Sequence, residues 1–131
     1  MAAIVLDASV ALEVLIRTTR GVRFASDVFG RERHVPHLLD IEFAQALRRL
    51  LLAREISSDR AGLALEALGD WSLARHSHVP FLSRIWELRD SMSAYDAAYV
   101  ALAEALDVPL LTCDAKLARS HGHRAKILLL T

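Results

Sequence analysis

Apolar and polar positions alternate along the chain in two periods, one strand-like and one helical. Ala3-Ile4-Val5-Leu6 is a short β-branched run that stops at Asp7, and Ala8 to Ile16 then reads as helical. Gly21 to Phe29 reads as a second helix with Val22, Ala25 and Phe29 on its apolar side, and Gly30-Arg31-Glu32-Arg33 as the polar turn after it. His34-Val35-Pro36 is a second short strand. A long helix follows from about Leu38 to Arg54, with Phe43, Ala46, Leu47, Leu50 and Leu51 as its core face. Ser57 caps a helix to about Trp71 that carries Ala61, Leu65 and Leu68 in register. Leu73 to Val79 alternates weakly as a third strand, with His76 and His78 on one side. Pro80 opens a helix bearing Phe81, Leu82, Ile85 and Trp86. Pro109 to Thr112 and Lys126 to Leu130 are the last strands, separated by a short helix through Arg119. This order predicts a single domain over 1–131 of the α/β class. Its architecture is a three-layer sandwich, with a central, mostly parallel sheet of four or five strands and helices on both faces.

One helix stands apart. Ser93-Ala94-Tyr95-Asp96-Ala97-Ala98-Tyr99-Val100-Ala101-Leu102-Ala103 is almost wholly apolar or small after Asp96. At 3.6 residues per turn Asp96 shares a face with Tyr99, Val100 and Ala103, so that face points inward. Charge under such packing costs several kcal/mol unless compensated. A capping box, Ser93-x-x-Asp96, is the plainer compensation. The other is a role shared with further acids.

Composition narrows the classes. A length of 131 residues is enough for a core without disulfides or metal staples. The 53% hydrophobic content and mean hydropathy of +0.27 are high, and suggest an apolar surface kept for a partner or a second copy. No run approaches the roughly 20 apolar residues of a membrane span. Cys113 is the single cysteine, so neither an internal disulfide nor a cysteine zinc site is available, and a cytoplasmic setting is expected. Formal net charge is zero, but every basic residue except Lys116 and Lys126 is arginine, the better bidentate phosphate ligand. The pairs His76/His78 and His121/His123 lack a third ligand nearby in sequence and read as surface residues.

Four acids fall at equivalent places. Asp7 and Asp114 lie at the carboxyl ends of strands, where open α/β sheets bind ligands. Glu42 and Asp96 lie near the starts of helices that return to the same edge, although Asp40 fits a solvated helix start as well as Glu42 does. Two such carboxylates about 4 Å apart would repel by ~4 kcal/mol at an effective dielectric near 20. A meeting of four would take up protons or hold a divalent cation. Oxygen donors without cysteine suit Mg²⁺ or Mn²⁺.

These segments resemble the PIN-domain nucleases, and more closely the VapC-type toxins of bacterial toxin–antitoxin pairs. The matching stretches are Ile4 to Leu12, Pro36 through Glu42 to Leu47, Tyr95 to Ala103, and Leu110 to Leu117, each carrying its acid. The resemblance implies a Mg²⁺-dependent endoribonuclease, with Mn²⁺ as the alternative ion. It would cleave RNA by in-line attack of a metal-activated water and be held in check by a cognate antitoxin protein. By position, Asp7, Glu42, Asp96 and Asp114 form the catalytic and metal site, with Asp7 and Asp96 the direct ligands. Glu42 would act through water and Asp114 at a second ion or on the attacking water, while Ser9 and Thr112 support them. A homodimer is expected. Glu13 stands where relatives often carry Lys, Gln45 where Asn is common, and Cys113 where Arg is frequent. These departures touch substrate contacts, not the acids. A catalytically silent scaffold binding RNA or protein is the alternative, but none of the four acids is missing. A receiver domain would need an acidic pair, and a haloacid-dehalogenase-type phosphatase Asp-x-Asp, where this chain has Asp7-Ala8-Ser9.

Overall fold

The computed structural model describes residues 2–131. Five strands, β1 (Ala3–Leu6), β2 (Glu32–Pro36), β3 (Ala74–His76), β4 (Leu110–Thr112) and β5 (Ile127–Leu129), form one sheet in the order β3-β2-β1-β4-β5. Every pairing is parallel, so the sheet is wholly rather than mostly parallel. The register sets Val5 opposite both His34 and Leu110. Ile4, Val5 and Leu6 are completely buried, as a central strand covered on both faces requires.

Among the described residues, seven α-helices connect the strands: α1 (Ala8–Ile16), α2 (Thr19–Phe29), α3 (Leu38–Leu52), α4 (Ser58–Asp70), α5 (Leu82–Glu87), α6 (Ala94–Leu106) and α7 (Ala115–Ala118). Helices α1 to α4 pack on one another, whereas α6 lies on β1, β2 and β4 with α5 beside it. Right-handed crossovers explain the division: the chain leaves β1 in one direction for β2 and β3, then recrosses to β4 over the opposite face. The strand order therefore reverses between β1 and β4. That reversal opens a crevice at the carboxyl edge of the sheet.

Local chemistry sets the boundaries. Asp7, Thr18, Ser57, Ser93 and Asp114 each accept a backbone N–H from the first turn of the helix they precede. Arg17, in the left-handed conformation at φ 63°, ends α1. Gly21 lets α2 approach α1, since a Cβ there would stand 1.9 Å from the Glu13 carbonyl oxygen.

Several expectations are corrected. Glu32 and Arg33 belong to β2, not to a turn. Arg33 extends the strand because its guanidinium donates to the carbonyls of Val28, Phe29, Arg31 and Ser72, closing the end of α2. The third strand is only Ala74–His76, so His78 lies beyond it and does not share a side with His76. His76 Nε2 instead meets His34 Nδ1 at 2.8 Å across the β2–β3 pair. A 3-10 turn over Val79–Phe81 precedes α5. On α2 the buried residues are Gly21, Phe24 and Val28, while Val22 and Phe29 are exposed. On α4 Ala64 is buried and Leu65 exposed, and on α3 Leu51 is exposed.

Candidate active site

The first strand ends on Asp7 because the next four residues turn into α1, and a carboxylate at that junction caps the helix. Asp7 is buried, and each oxygen is occupied. Oδ1 accepts from the Ser9 hydroxyl at 2.5 Å and the Val10 amide at 3.2 Å, and Oδ2 accepts from the Thr112 hydroxyl at 2.5 Å. Thr112, wholly buried at the end of the neighbouring strand, uses the same oxygen to accept from the Asp114 amide at 3.0 Å. Ser9 Oγ likewise accepts from the Cys113 amide at 3.0 Å. Two hydroxyls thus stitch the ends of β1 and β4 together across the point of reversal.

Glu42 and Asp96 arrive from helices that begin at this edge. Glu42, in the second turn of α3, accepts a 2.6 Å hydrogen bond from the phenol of Tyr99. Asp96 sits in the first turn of α6, one turn before Tyr99. Only half of the capping box forms: the Ser93 hydroxyl accepts from the Asp96 amide. The return bond from the Ser93 amide is absent among the described residues, and the Asp96 carboxyl feels the charges of Asp114 and Asp7. Asp40, the rival of Glu42, is engaged elsewhere. Arg75 Nε and Nη2 grip its two oxygens at 2.7 and 2.9 Å. Asp114 is exposed and caps α7 by accepting from Lys116 N at 2.9 Å.

The electrostatics bind the four acids into one group. Burial raises the pKa of Asp7 against the lowering effect of Ser9 and Thr112. Burial also raises Glu42, and the charges of Asp96 and Asp7 push it further up. Asp96 is raised by burial, then by Asp114 and Asp7. Glu42 and Asp96 therefore each feel other carboxylates of the group, as a shared rim predicts. Burial and the bond to Glu42 push Tyr99 far above the ordinary phenol value, so it remains a donor.

No three His, Cys, Asp or Glu side chains among the described residues already stand as a ready cage for an ion. The rim still fits a hard divalent cation: its donors are oxygens, and three of its carboxyls are held partly against ionisation, a penalty that positive charge relieves. Mg²⁺ commonly uses one or two carboxylates and keeps the rest of its shell as water, so it needs no all-protein cage.

Sequence reasoning missed Tyr99 as the partner of Glu42. Its signal was present: a phenol one turn from Asp96 on the inward face needs a buried acceptor. The roles of Ser9 and Thr112 as bridges follow only from the β1–β4 pairing, which no local pattern encodes.

The chain is similar to several known proteins. A PIN-domain family model matches residues 4–121. Ribonuclease VapC12 of Mycobacterium tuberculosis is 42% identical over 125 residues, 95% of this chain and 96% of that protein. Ribonuclease VapC1 of the same organism is 48% identical over 97 residues, 73% of each chain. In fold, the chain matches VapBC2 from Rickettsia felis, solved bound to a DNA fragment from its promoter. That match has a TM-score of 0.62 at 10% identity, covering 95% of this chain and 98% of that one. PAE2754 from Pyrobaculum aerophilum matches with a TM-score of 0.61 at 21% identity, over 89% of this chain and 84% of that one. With the family model spanning most of its length and relatives this similar, the chain belongs to the PIN-domain family, in its VapC branch.

Proposed function

We propose that this protein is an endoribonuclease, the toxin of a toxin–antitoxin pair, and that it requires Mg²⁺ or Mn²⁺ to hydrolyse RNA phosphodiester bonds. The observation that carries the reading is the rim of mutually repelling carboxylates at the reversal between β1 and β4. The relatives named as ribonucleases support it. In this reading Asp7 and Asp96 hold the cation, Glu42 reaches it through water, and Asp114 holds a second ion or orients the attacking water. The cation would supply charge neutralisation at the phosphate and lower the pKa of a bound water. Ser9 and Thr112 fix both oxygens of Asp7, so its carboxylate cannot rotate away from the crevice. Tyr99 does the same for one oxygen of Glu42. Cys113 is half-buried with its thiol pushed up by burial, which does not suit it as a nucleophile.

Asp96→Asn tests the assignment. We expect RNA cleavage to fall by at least 100-fold with the fold intact by circular dichroism. Undiminished cleavage would refute the site, and retained RNA binding by a wild type that never cuts would favour a silent scaffold. Chelation of divalent ions should silence the wild type, with activity returning on addition of Mg²⁺ or Mn²⁺.

Two apolar surfaces suit the expected partners. Leu15, Val22, Ala25, Phe29, Leu63 and Ala67 line a groove running between α1, α2 and α4. Its apolar lining suits the apolar face of an antitoxin helix. Exposed Ile41 and Tyr95 flank Glu42, where a second copy could dock and form the homodimer.

A further inference from the structure

A carboxylate that takes no part in the acidic rim holds an arginine beside it. Glu13 lies one helical turn beyond Ser9 on α1, on the same face and about 6 Å along the axis. Ser9 is the residue that ties Asp7 to the Cys113 amide. Both oxygens of Glu13 are engaged: Oε1 accepts from Arg20 Nη2 at 2.7 Å, and Oε2 accepts from the Thr18 hydroxyl. Arg20 spends only that one nitrogen. Its other donors have no hydrogen-bond partner among the described residues, and its side chain is 43% exposed.

The pair is not needed to join α1 to α2. Thr18 already caps α2 by accepting from Gly21 N at 3.0 Å, and the Thr18 amide donates to the Glu13 carbonyl. Gly21 closes the approach sterically. What Arg20 adds is positive charge on the β4 side of the crevice, where it counters the burial that raises the Cys113 thiol. Lys116 and Arg49 lie near enough to ease Asp96 and Glu42 respectively. Neither side chain is held by a carboxylate among the described residues, whereas Arg20 is.

We propose that Arg20, oriented by Glu13, binds a backbone phosphate of the RNA flanking the scissile bond, with the donors it does not spend on Glu13. A guanidinium presents a planar fork that matches two phosphate oxygens, and Glu13 fixes that fork in advance. Glu13 is thus a positioning residue.

This inference rests on the nuclease reading, and the test separates the two. Binding of a fluorescent, mixed-sequence single-stranded RNA oligonucleotide is measured by anisotropy across a KCl titration, with Asp96→Asn protein as the uncut parent. Adding Arg20→Gln should weaken binding about 3- to 10-fold near 0.1 M salt. It should also reduce the slope of log K against log salt by about 0.7, the contribution of one single-strand phosphate contact. Arg20→Lys should restore the slope but not the full affinity, because charge returns without the fork. An unchanged slope overturns the proposal, and a lowered melting temperature beside it would make Arg20 a mere tie between helices. Wild-type protein that neither binds nor cuts this RNA with Mg²⁺ present would remove both readings.

Discussion

A carboxylate's fate here is decided by its neighbours more than by its position along the chain. Asp40 and Glu42 are two residues apart at the start of one helix, and sequence could not rank them. The structure separates them by partner: Asp40 goes to Arg75, and Glu42 to a buried phenol. Glu42 is therefore an acid kept in the crevice at a cost. Burial holds its pKa above the ordinary glutamate value of 4.5, so its contribution opposes folding above the raised value and is relieved as pH falls toward 4.5. Glu42→Gln keeps an acceptor for Tyr99 and removes the charge. Without divalent ions, the variant should melt about 3 °C higher than wild type at neutral pH. That gap should shrink as the pH is lowered toward 4.5. Saturating Mg²⁺ should stabilise the wild type more than the variant. Calorimetry over pH, with and without the ion, reads all three outcomes.

At the scale of elements, legibility followed the number of environments an element has. The central strand was plain in Ala3-Ile4-Val5-Leu6 because both of its faces are buried, leaving a continuous apolar run. Helix α6 was plain for the same reason, with Ala97 through Ala103 buried throughout. Helix α2 misled because it has two apolar faces. Val22, Ala25 and Phe29 share one, and Phe24 and Val28 share the other, yet only the second enters the core. Periodicity cannot tell a core face from a face left for a partner. The deciding residue is Gly21, which alone permits the close crossing on α1. Gly21→Ala should force the two helices apart and cost about 2 kcal/mol or more of stability, measured by urea unfolding. Gly30→Ala, where a Cβ would meet only ordinary contact at 3.5 Å, should cost far less and serves as the comparison.

Taken whole, the molecule carries its acidic rim at one edge of the sheet and an apolar groove along α1, α2 and α4. Replacing exposed Leu63 by Asp should abolish capture of a cognate antitoxin by isothermal titration while leaving RNA cleavage unchanged. Loss of cleavage with capture intact would reverse the assignment of the two surfaces. Among the described residues, no helix is long and apolar enough to cross a membrane. The acids themselves were legible from the sequence, since each follows a strand or opens a helix. The hydroxyl bridges from Thr112 to Asp7 and from Ser9 to Cys113 were not, because they form only when β4 is brought beside β1.

The outermost strands of the sheet, β3 and β5, are each three residues long. So short a margin offers another polypeptide too few free amides and carbonyls to lengthen the sheet. Crowded molecules of this protein are thus steered away from fibrous growth by strand addition. Whatever self-association occurs must proceed through side chains on the helical flanks, where a modest change in surface residues can tune or abolish it.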